Sequence, residues 1–177
     1  MTQDPAGLRL EPLHLWLREQ EIIGADETLV PSLLAGGRSN VSYRLRGSTS
    51  DLVVRRPPLG NIMPTAHDMG REHIVLSGLH SVGYPVPQPL ALCNDSDVIG
   101  APFMVMQFVG GRTIAEQSDT APLTPVSADN MSRALVDTLA SLHQIDPTAA
   151  GLENLGRPGG YLQRQVKRWG EQWQLTK

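Results

Sequence analysis

The stretch LVPSLLAGGRSNVSYRLRGSTSDLVVRRPP, residues 29–58, contains the pattern that decides the fold class. Apolar and polar side chains alternate over 41–46, as they do in a strand with one buried face. Residues 47–51 have the composition of a turn, and 52–56 form a second strand candidate that two prolines end. The stretch therefore predicts two neighbouring strands joined by a turn.

The sequence on either side adds further elements to this unit. A packing helix is predicted over 12–23, a second helix over 68–80, and two more strands over 88–94 and 101–109. Beyond these strands, two apolar stripes recur at helical spacing. The stripes consist of Met131, Leu135, Leu139 and Leu142, and of Leu162, Val166, Trp169 and Trp173.

These elements predict an α+β fold in three parts. Residues 1–29 contain the packing helix, and residues 30–110 contain an antiparallel sheet with one helix. Residues 111–177 contain only helices. No internal repeat connects the parts.

Composition and charge narrow the class of protein. No apolar run reaches the ~18 residues that a membrane span needs, and the net charge of −3 argues against a general nucleic-acid binder. The single cysteine, Cys93, excludes an intrachain disulfide, and the first residues lack the pattern of a secretory signal. We expect a cytoplasmic protein that binds neither membranes nor nucleic acids.

The charges are unevenly distributed along the chain. Residues 38–71 contain six arginines and two aspartates, which gives this segment a local net charge of +4. Such a segment either binds an anionic ligand or forms an ordinary solvated surface.

Isolated polar residues do not identify a catalytic site. No Walker A loop and no zinc-binding HExxH segment is present. His143 at a predicted helix end, and Asp95 with Asp97 in a predicted loop, are more typical of structural positions than of catalysis or metal binding. Cys93 lies in a predicted strand, which favours a core residue over a nucleophile.

The order of several weak signals is more informative. A glycine-containing turn at 36–40 lies between strand candidates, Arg55 lies on the next strand, and Glu72 opens a helix before the buried strand at 101–109. A glycine turn can approach phosphates, a neighbouring cation can balance their charge, and a carboxylate can hold that cation in place. This order is that of the N-terminal lobe of a protein kinase.

The sequence resembles the aminoglycoside phosphotransferase family of small-molecule kinases. Within that family it is most similar to the kinase-like domains related to those fused to some acyl-CoA dehydrogenases, over about residues 30–177. The resemblance lies in GGRSNVSYRLR (36–46), LVVRRPP (52–58), RE (71–72), GYPVPQPLALCND (83–95), VIGAPFMVMQFVGGR (98–112) and GRPGGYLQRQVKRW (156–169).

The resemblance implies a kinase-like N-terminal lobe, the first helices of the C-terminal lobe, and a nucleotide site between them. The loop covering the nucleotide would consist of Gly36, Gly37, Arg38, Ser39 and Asn40. Arg55 would replace the phosphate-binding lysine of many kinases, with Glu72 as its ion-pair partner, and Arg56 is an alternative for this role. The hinge whose backbone holds the adenine edge would consist of Gln107, Phe108 and Val109.

The sequence departs from the family in one large respect. The catalytic loop, a His-Gly-Asp segment followed by an asparagine, and the later metal-binding aspartate do not occur in the 177 residues. The segment HQID at 143–146 has the wrong spacing for that loop. We therefore expect neither a catalytic nor a metal-binding residue in this chain, which would end inside the C-terminal lobe.

The implied function is ATP-dependent phosphoryl transfer to a hydroxyl group of a small molecule, with Mg²⁺ bridging the phosphates. The dehydrogenase-linked branch makes a hydroxyacyl thioester a plausible acceptor. Two alternatives stay open: a non-catalytic nucleotide-binding or protein-interaction module, and an unrelated α+β domain with an anion site.

Overall fold

The computed structural model describes residues 4–34, 40–59, 68–156 and 159–175. Of the predicted nucleotide loop, Gly36, Gly37, Arg38 and Ser39 lie outside the described residues. The described elements are α1 (Leu10–Glu19), β1 (Val30–Leu33), β2 (Val41–Arg46), β3 (Asp51–Arg56), α2 (Met69–Ser81), β4 (Pro89–Cys93), α3 (Ser96–Ile99), β5 (Phe103–Gln107), a 3-10 helix (Gln117–Thr120), α4 (Pro125–His143) and α5 (Tyr161–Leu175).

The strands form one sheet in the order β1-β2-β3-β5-β4, and every pair of neighbours is antiparallel. Tyr43 is opposite Val54 and Leu45 is opposite Leu52, so apolar side chains meet on the same face of β2 and β3. The backbone amide of Gly47 donates to the carbonyl of Ser50 at 2.8 Å and closes the turn between these strands. The predicted α+β class and the strand-turn-strand unit are both confirmed.

One face of the sheet forms the hydrophobic core, and α1 packs there. Leu13 and Leu17 of α1 are fully buried, and Trp16 meets Phe103 of β5 edge to face with 5.0 Å between ring centres. The strand residues of this core are Tyr43, Leu45, Leu52, Val54, Cys93, Phe103 and Val105. The α1 helix therefore covers this face of the sheet.

The opposite face of the sheet carries α2. Strand alternation places Ser42, Val53, Arg55 and Met104 on this face, away from α1. The α2 helix packs against β4 and β5. We call the surface between α2 and these strand residues the cleft face.

Three elements differ from the sequence predictions. The predicted helix at 12–23 is wrong at both ends, because α1 runs from Leu10 to Glu19 and the chain turns at Glu21, which has a left-handed φ of 57°. The β1 strand was not predicted, since it is an edge strand with mostly exposed side chains. The α3 helix replaces part of a predicted loop, because the Asp95 side chain caps it by accepting from the Asp97 amide at 2.8 Å.

The helices α4 and α5 confirm the helical prediction for the C-terminal part. Their apolar stripes are exposed on the described residues: Leu135 is 71% exposed, Trp169 66% and Trp173 62%. Tyr84 links α4 to the first part of the chain, since its hydroxyl donates to the Thr138 carbonyl at 3.1 Å. No helix in the described ranges has the length and apolar character needed to cross a membrane.

Candidate functional site

The centre of the candidate site is an ion pair between β3 and α2. The Arg55 Nε donates to Glu72 Oε2 at 2.7 Å, and both side chains are about one-third exposed. The helix is placed by its cap, where the Asp68 side chain accepts from the Arg71 amide at 3.0 Å. Glu72 then lies in the first turn of α2, where a negative charge is favoured by the helix dipole. The predicted pairing of Arg55 with Glu72 is confirmed.

Asn40, which precedes β2, and Ser42 of β2 complete this network. Asn40 is 4% exposed, and its Nδ2 donates to Glu72 Oε1 at 2.5 Å. Ser42 Oγ accepts from Arg55 Nη1 at 3.1 Å. Of the five N–H groups of the guanidinium, two therefore have a partner among the described residues. The other three are available to a ligand on the cleft face.

Arg56 is on the opposite face of the same strand. It is 5% exposed, and its guanidinium donates to the carbonyl oxygens of Gly7, Pro57 and Ile99. These bonds tie β3 to the N-terminal segment and to the end of α3. Of the two arginines of β3, Arg55 is therefore the one on the cleft face, and Arg56 is not.

The segment Gln107–Val109 starts at the last residue of β5, as expected for a hinge. The Gln107 amide donates to the Gln88 carbonyl and the Phe108 amide to the Asp51 carbonyl, each at 2.9 Å. Within the described part of the chain, the Val109 amide has no such partner, and the Val109 side chain is 61% exposed. Of the three amides of this segment, that of Val109 is therefore the one without a backbone partner in the described ranges, and the adenine contact stays a prediction.

A second charged cluster lies beside this segment, and no sequence pattern pointed to it. Arg44 binds Asp51 in a two-point ion pair, with Nε–Oδ1 at 2.7 Å and Nη2–Oδ2 at 2.5 Å. The guanidinium carbon of Arg44 lies 3.6 Å from the centre of the Phe108 ring. Hydrogen bonding to Arg44 holds the pKa of the Asp51 carboxyl below its usual value. The strand register, which brings residues 44 and 51 near each other on one face, is the signal that could have revealed it.

A cavity of about 580 Å³ opens beside the Arg55–Glu72 pair. Its charged lining consists of Arg55, Asp68, Arg71 and Glu72, and the rest of its lining is apolar. The apolar lining consists of Val75, Leu76, Pro87, Met104 and Met106. A cavity with a few charged groups of both signs and an apolar wall is suited to a ligand that carries polar groups and an apolar or aromatic part.

The remaining candidate residues have structural positions. Cys93 is 3% exposed, and burial raises the pKa of its thiol, which makes it a poor nucleophile. Asp95 is a helix cap, and His143 is the last residue of α4 and exposed to solvent. In the described ranges no group of three or more His, Cys, Asp or Glu side chains is placed to hold a metal ion.

Comparison with known proteins agrees with this geometry. The sequence profile of the phosphotransferase enzyme family (APH) matches residues 31–177. The human acyl-CoA dehydrogenase family member 11 is 37% identical over 152 residues, which cover 85% of this chain and 19% of that protein. The mouse acyl-CoA dehydrogenase family member 10 is 35% identical over 140 residues, which cover 79% of this chain and 13% of that protein.

A solved structure shares the fold as well. A protein from Ralstonia eutropha JMP134, provisionally named an aminoglycoside phosphotransferase, superposes with a TM-score of 0.73 at 31% identity. The match covers 96% of this chain and 48% of that chain. The chain thus spans about half of this solved relative and less than a fifth of the two dehydrogenase family members.

Proposed function

This chain belongs to the phosphotransferase enzyme family, and we propose that it binds ATP for phosphoryl transfer to a hydroxyl group of a small molecule. The observation that carries the proposal is the Arg55–Glu72 ion pair, which joins the sheet to α2 at the edge of a charged and apolar cavity. Phosphoryl transfer depends mainly on positioning the phosphates and neutralising their charge. A cation held by a carboxylate on a neighbouring helix provides both.

In this proposal Arg55 contacts the phosphates. Glu72 and Ser42 hold two of its N–H groups, so that the remaining three N–H groups face the ligand in a fixed plane. A guanidinium binds phosphate oxygens through two parallel hydrogen bonds, whereas a lysine acts as a point charge. Arg55 therefore fixes the direction of its hydrogen bonds to the phosphate oxygens, which a lysine would not do.

The nucleobase part of the proposal rests on Val109 and on the cleft face. The Val109 amide is a free donor within the described residues and lies just beyond β5. Met106, opposite Val53 on β5, is partly exposed and supplies apolar surface on the same face as Arg55. A base placed there would reach the Val109 amide with its edge while its phosphates extend towards Arg55. The loop Gly36–Asn40 would cover them.

The proposed reaction also needs residues that bind Mg²⁺ and a base that activates the acceptor hydroxyl. Among the described residues no group of three or more acidic, His or Cys side chains is placed to hold a metal ion, and we propose that the magnesium ligands lie outside these residues. The 177 residues also contain no His-Gly-Asp segment. We therefore propose that residues 30–110 supply nucleotide binding, that 111–177 supply the first helices of the second lobe, and that these residues alone have no turnover.

The acceptor is proposed to be a hydroxyacyl thioester. Two curated relatives are named acyl-CoA dehydrogenase family members, and the matching region occupies less than a fifth of each. A hydroxyl group on a thioester-linked acyl chain would connect the two activities chemically. We place this reaction in the cytoplasm, and the single cysteine, a buried free thiol, agrees with a reducing compartment.

Calorimetry with ATP, ADP and adenosine tests the nucleotide site. We expect ATP to bind more tightly than adenosine, and we expect Arg55→Ala to remove most of this difference, since it deletes the phosphate contact. Arg133→Ala is the matched control, because Arg133 forms an exposed ion pair with Asp129 on α4. Equal affinity of the unmodified chain for ATP and adenosine would contradict the proposal.

A second candidate function is a non-catalytic nucleotide-binding or protein-interaction module. The exposed apolar stripes of α4 and α5 favour it, because large exposed apolar patches mark surfaces that associate with other surfaces. The enzyme requires a His-Gly-Asp segment beyond Lys177, whereas the non-catalytic module does not. A reading frame that continues into a His-Gly-Asp segment, with ATP consumption by the longer chain in the presence of hydroxyacyl thioesters, supports the enzyme.

A further inference from the structure

The side chain of Asn40 joins the loop region to the ion pair. Asn40 immediately precedes β2 and is 4% exposed. Its Nδ2 donates to one oxygen of Glu72, and the Arg55 Nε donates to the other oxygen of the same carboxylate. One oxygen of Glu72 is thus held by the residue before β2 and the other by β3. The geometry is unlike a simple arginine–carboxylate pair, in which both oxygens face the same guanidinium.

We infer that Asn40 is a positioning residue, which keeps Glu72 from covering the phosphate-binding side of Arg55. This inference rests on the proposed function of Arg55. A free carboxylate beside a guanidinium favours the two-point arrangement, because that arrangement makes two charge-assisted hydrogen bonds. Arg44 and Asp51 adopt it in this same sheet. Asn40 holds Glu72 Oε1 instead, so Glu72 takes only the Nε of Arg55.

The consequence concerns the free donors of Arg55. With Asn40 in place, Nη2 of Arg55 has no partner among the residues the structure describes, and it remains available to a phosphate oxygen. Without Asn40, the carboxylate can rotate to bind Nε and Nη2 together. A phosphate would then compete with Glu72 for Nη2 and would also meet the carboxylate charge. Loss of one amide group should therefore weaken phosphate binding without removing any group that touches phosphate.

Nucleotide binding by the 177-residue chain tests this role. We expect Asn40→Ala to weaken ATP binding about tenfold, or about 1.4 kcal/mol, and to change adenosine binding by less than about twofold. In the Glu72→Gln background, Asn40→Ala should have no further effect on ATP affinity, because it acts through Glu72. Asn154→Ala is the matched control, since Asn154 also donates to a glutamate but is exposed and does not line the cavity beside Arg55. Unchanged ATP affinity in Asn40→Ala, or losses that add in the double variant, would overturn the inference.

A measurement without nucleotide separates this inference from the proposed function. In the NMR spectrum of the Arg55 guanidinium, a two-point pair restricts rotation of the group, so we expect slower Nη exchange in Asn40→Ala than in the unmodified chain. Identical guanidinium spectra in the two proteins would overturn the inference, even where ATP binds. Slower exchange in a chain that does not distinguish ATP from adenosine would support the positioning role of Asn40 and contradict the proposed function.

Discussion

The sheet region and the two long helices of the C-terminal part carry similar apolar patterns but bury them differently. In the sheet region, Phe103 and Leu45 are fully buried under α1. In α4 and α5, Leu135 and Trp169 are 71% and 66% exposed on the described residues. An apolar stripe stabilises a fold only where a second surface covers it. The same kind of pattern therefore contributes to stability in one region and leaves an open surface in the other.

Truncating one aromatic side chain in each region tests this difference most strongly. Phe103→Ala removes a fully buried ring that packs against Trp16, and we expect it to lower the free energy of unfolding by about 3–5 kcal/mol. Trp169→Ala removes an exposed ring, and we expect a change within about 0.5 kcal/mol. Urea denaturation of both variants checks this. Comparable losses would show that α5 is covered in solution.

The two adjacent arginines of β3 extend the test to the two faces of the sheet. Arg56→Met leaves three carbonyl oxygens without their charged donor, and we expect a loss of about 2 kcal/mol of unfolding free energy. Arg55→Met removes only a partly exposed ion pair, which contributes about 0–1 kcal/mol. Chemical denaturation measures these losses of stability. In ATP calorimetry we expect the opposite order, with the larger loss of ATP affinity in Arg55→Met. A larger stability loss for Arg55→Met would contradict the assignment of the two faces.

A buried acid makes the stability of the sheet region depend on pH, and we expect this effect to be smaller than those of the substitutions above. Glu27 is 8% exposed and accepts hydrogen bonds from the amides of Thr49 and Ser50, each at 2.9 Å, and from both hydroxyls. These bonds, first among them that from the Thr49 amide, lower the pKa of Glu27 from 4.5 to about 2. Because the pKa is lower in the folded state, the stabilisation is present above about pH 4.5 and is lost as the pH falls towards 2.

Thermal unfolding between pH 2 and pH 6 measures this contribution. We expect Glu27→Gln to unfold at a lower temperature at pH 6 and to lose part of the pH dependence of the unmodified chain. Glu19→Gln, at the exposed end of α1, serves as the matched control. An unchanged pH dependence in Glu27→Gln would show that Glu27 does not hold the β2–β3 turn in solution.

Local patterns account for most of the fold that could be predicted. Alternation over 41–46 and the turn residues after it fix β2, β3 and their antiparallel pairing, because strand periodicity depends only on neighbouring residues. The pairing of Arg55 with Glu72 was predictable from the kinase-like order of elements, and the structure confirms it. The edge strand β1 could not be predicted, since exposed side chains leave no alternation to read.

The sequence by itself determined which side chains alternate, where the β2–β3 turn lies and that Arg55 or Arg56 would pair with Glu72. Only the tertiary structure decided that Arg56 faces the core, that the Val109 amide has no backbone partner among the described residues, and that Asn40 holds Glu72. The stretch LVVRR at 52–56 is apolar on both faces and does not indicate which arginine is buried. That choice depends on α1 covering one face, and the Asn40–Glu72 contact joins residues 32 positions apart. Contacts of this kind are set by strand register and by the path of the chain between elements, which no local sequence pattern encodes.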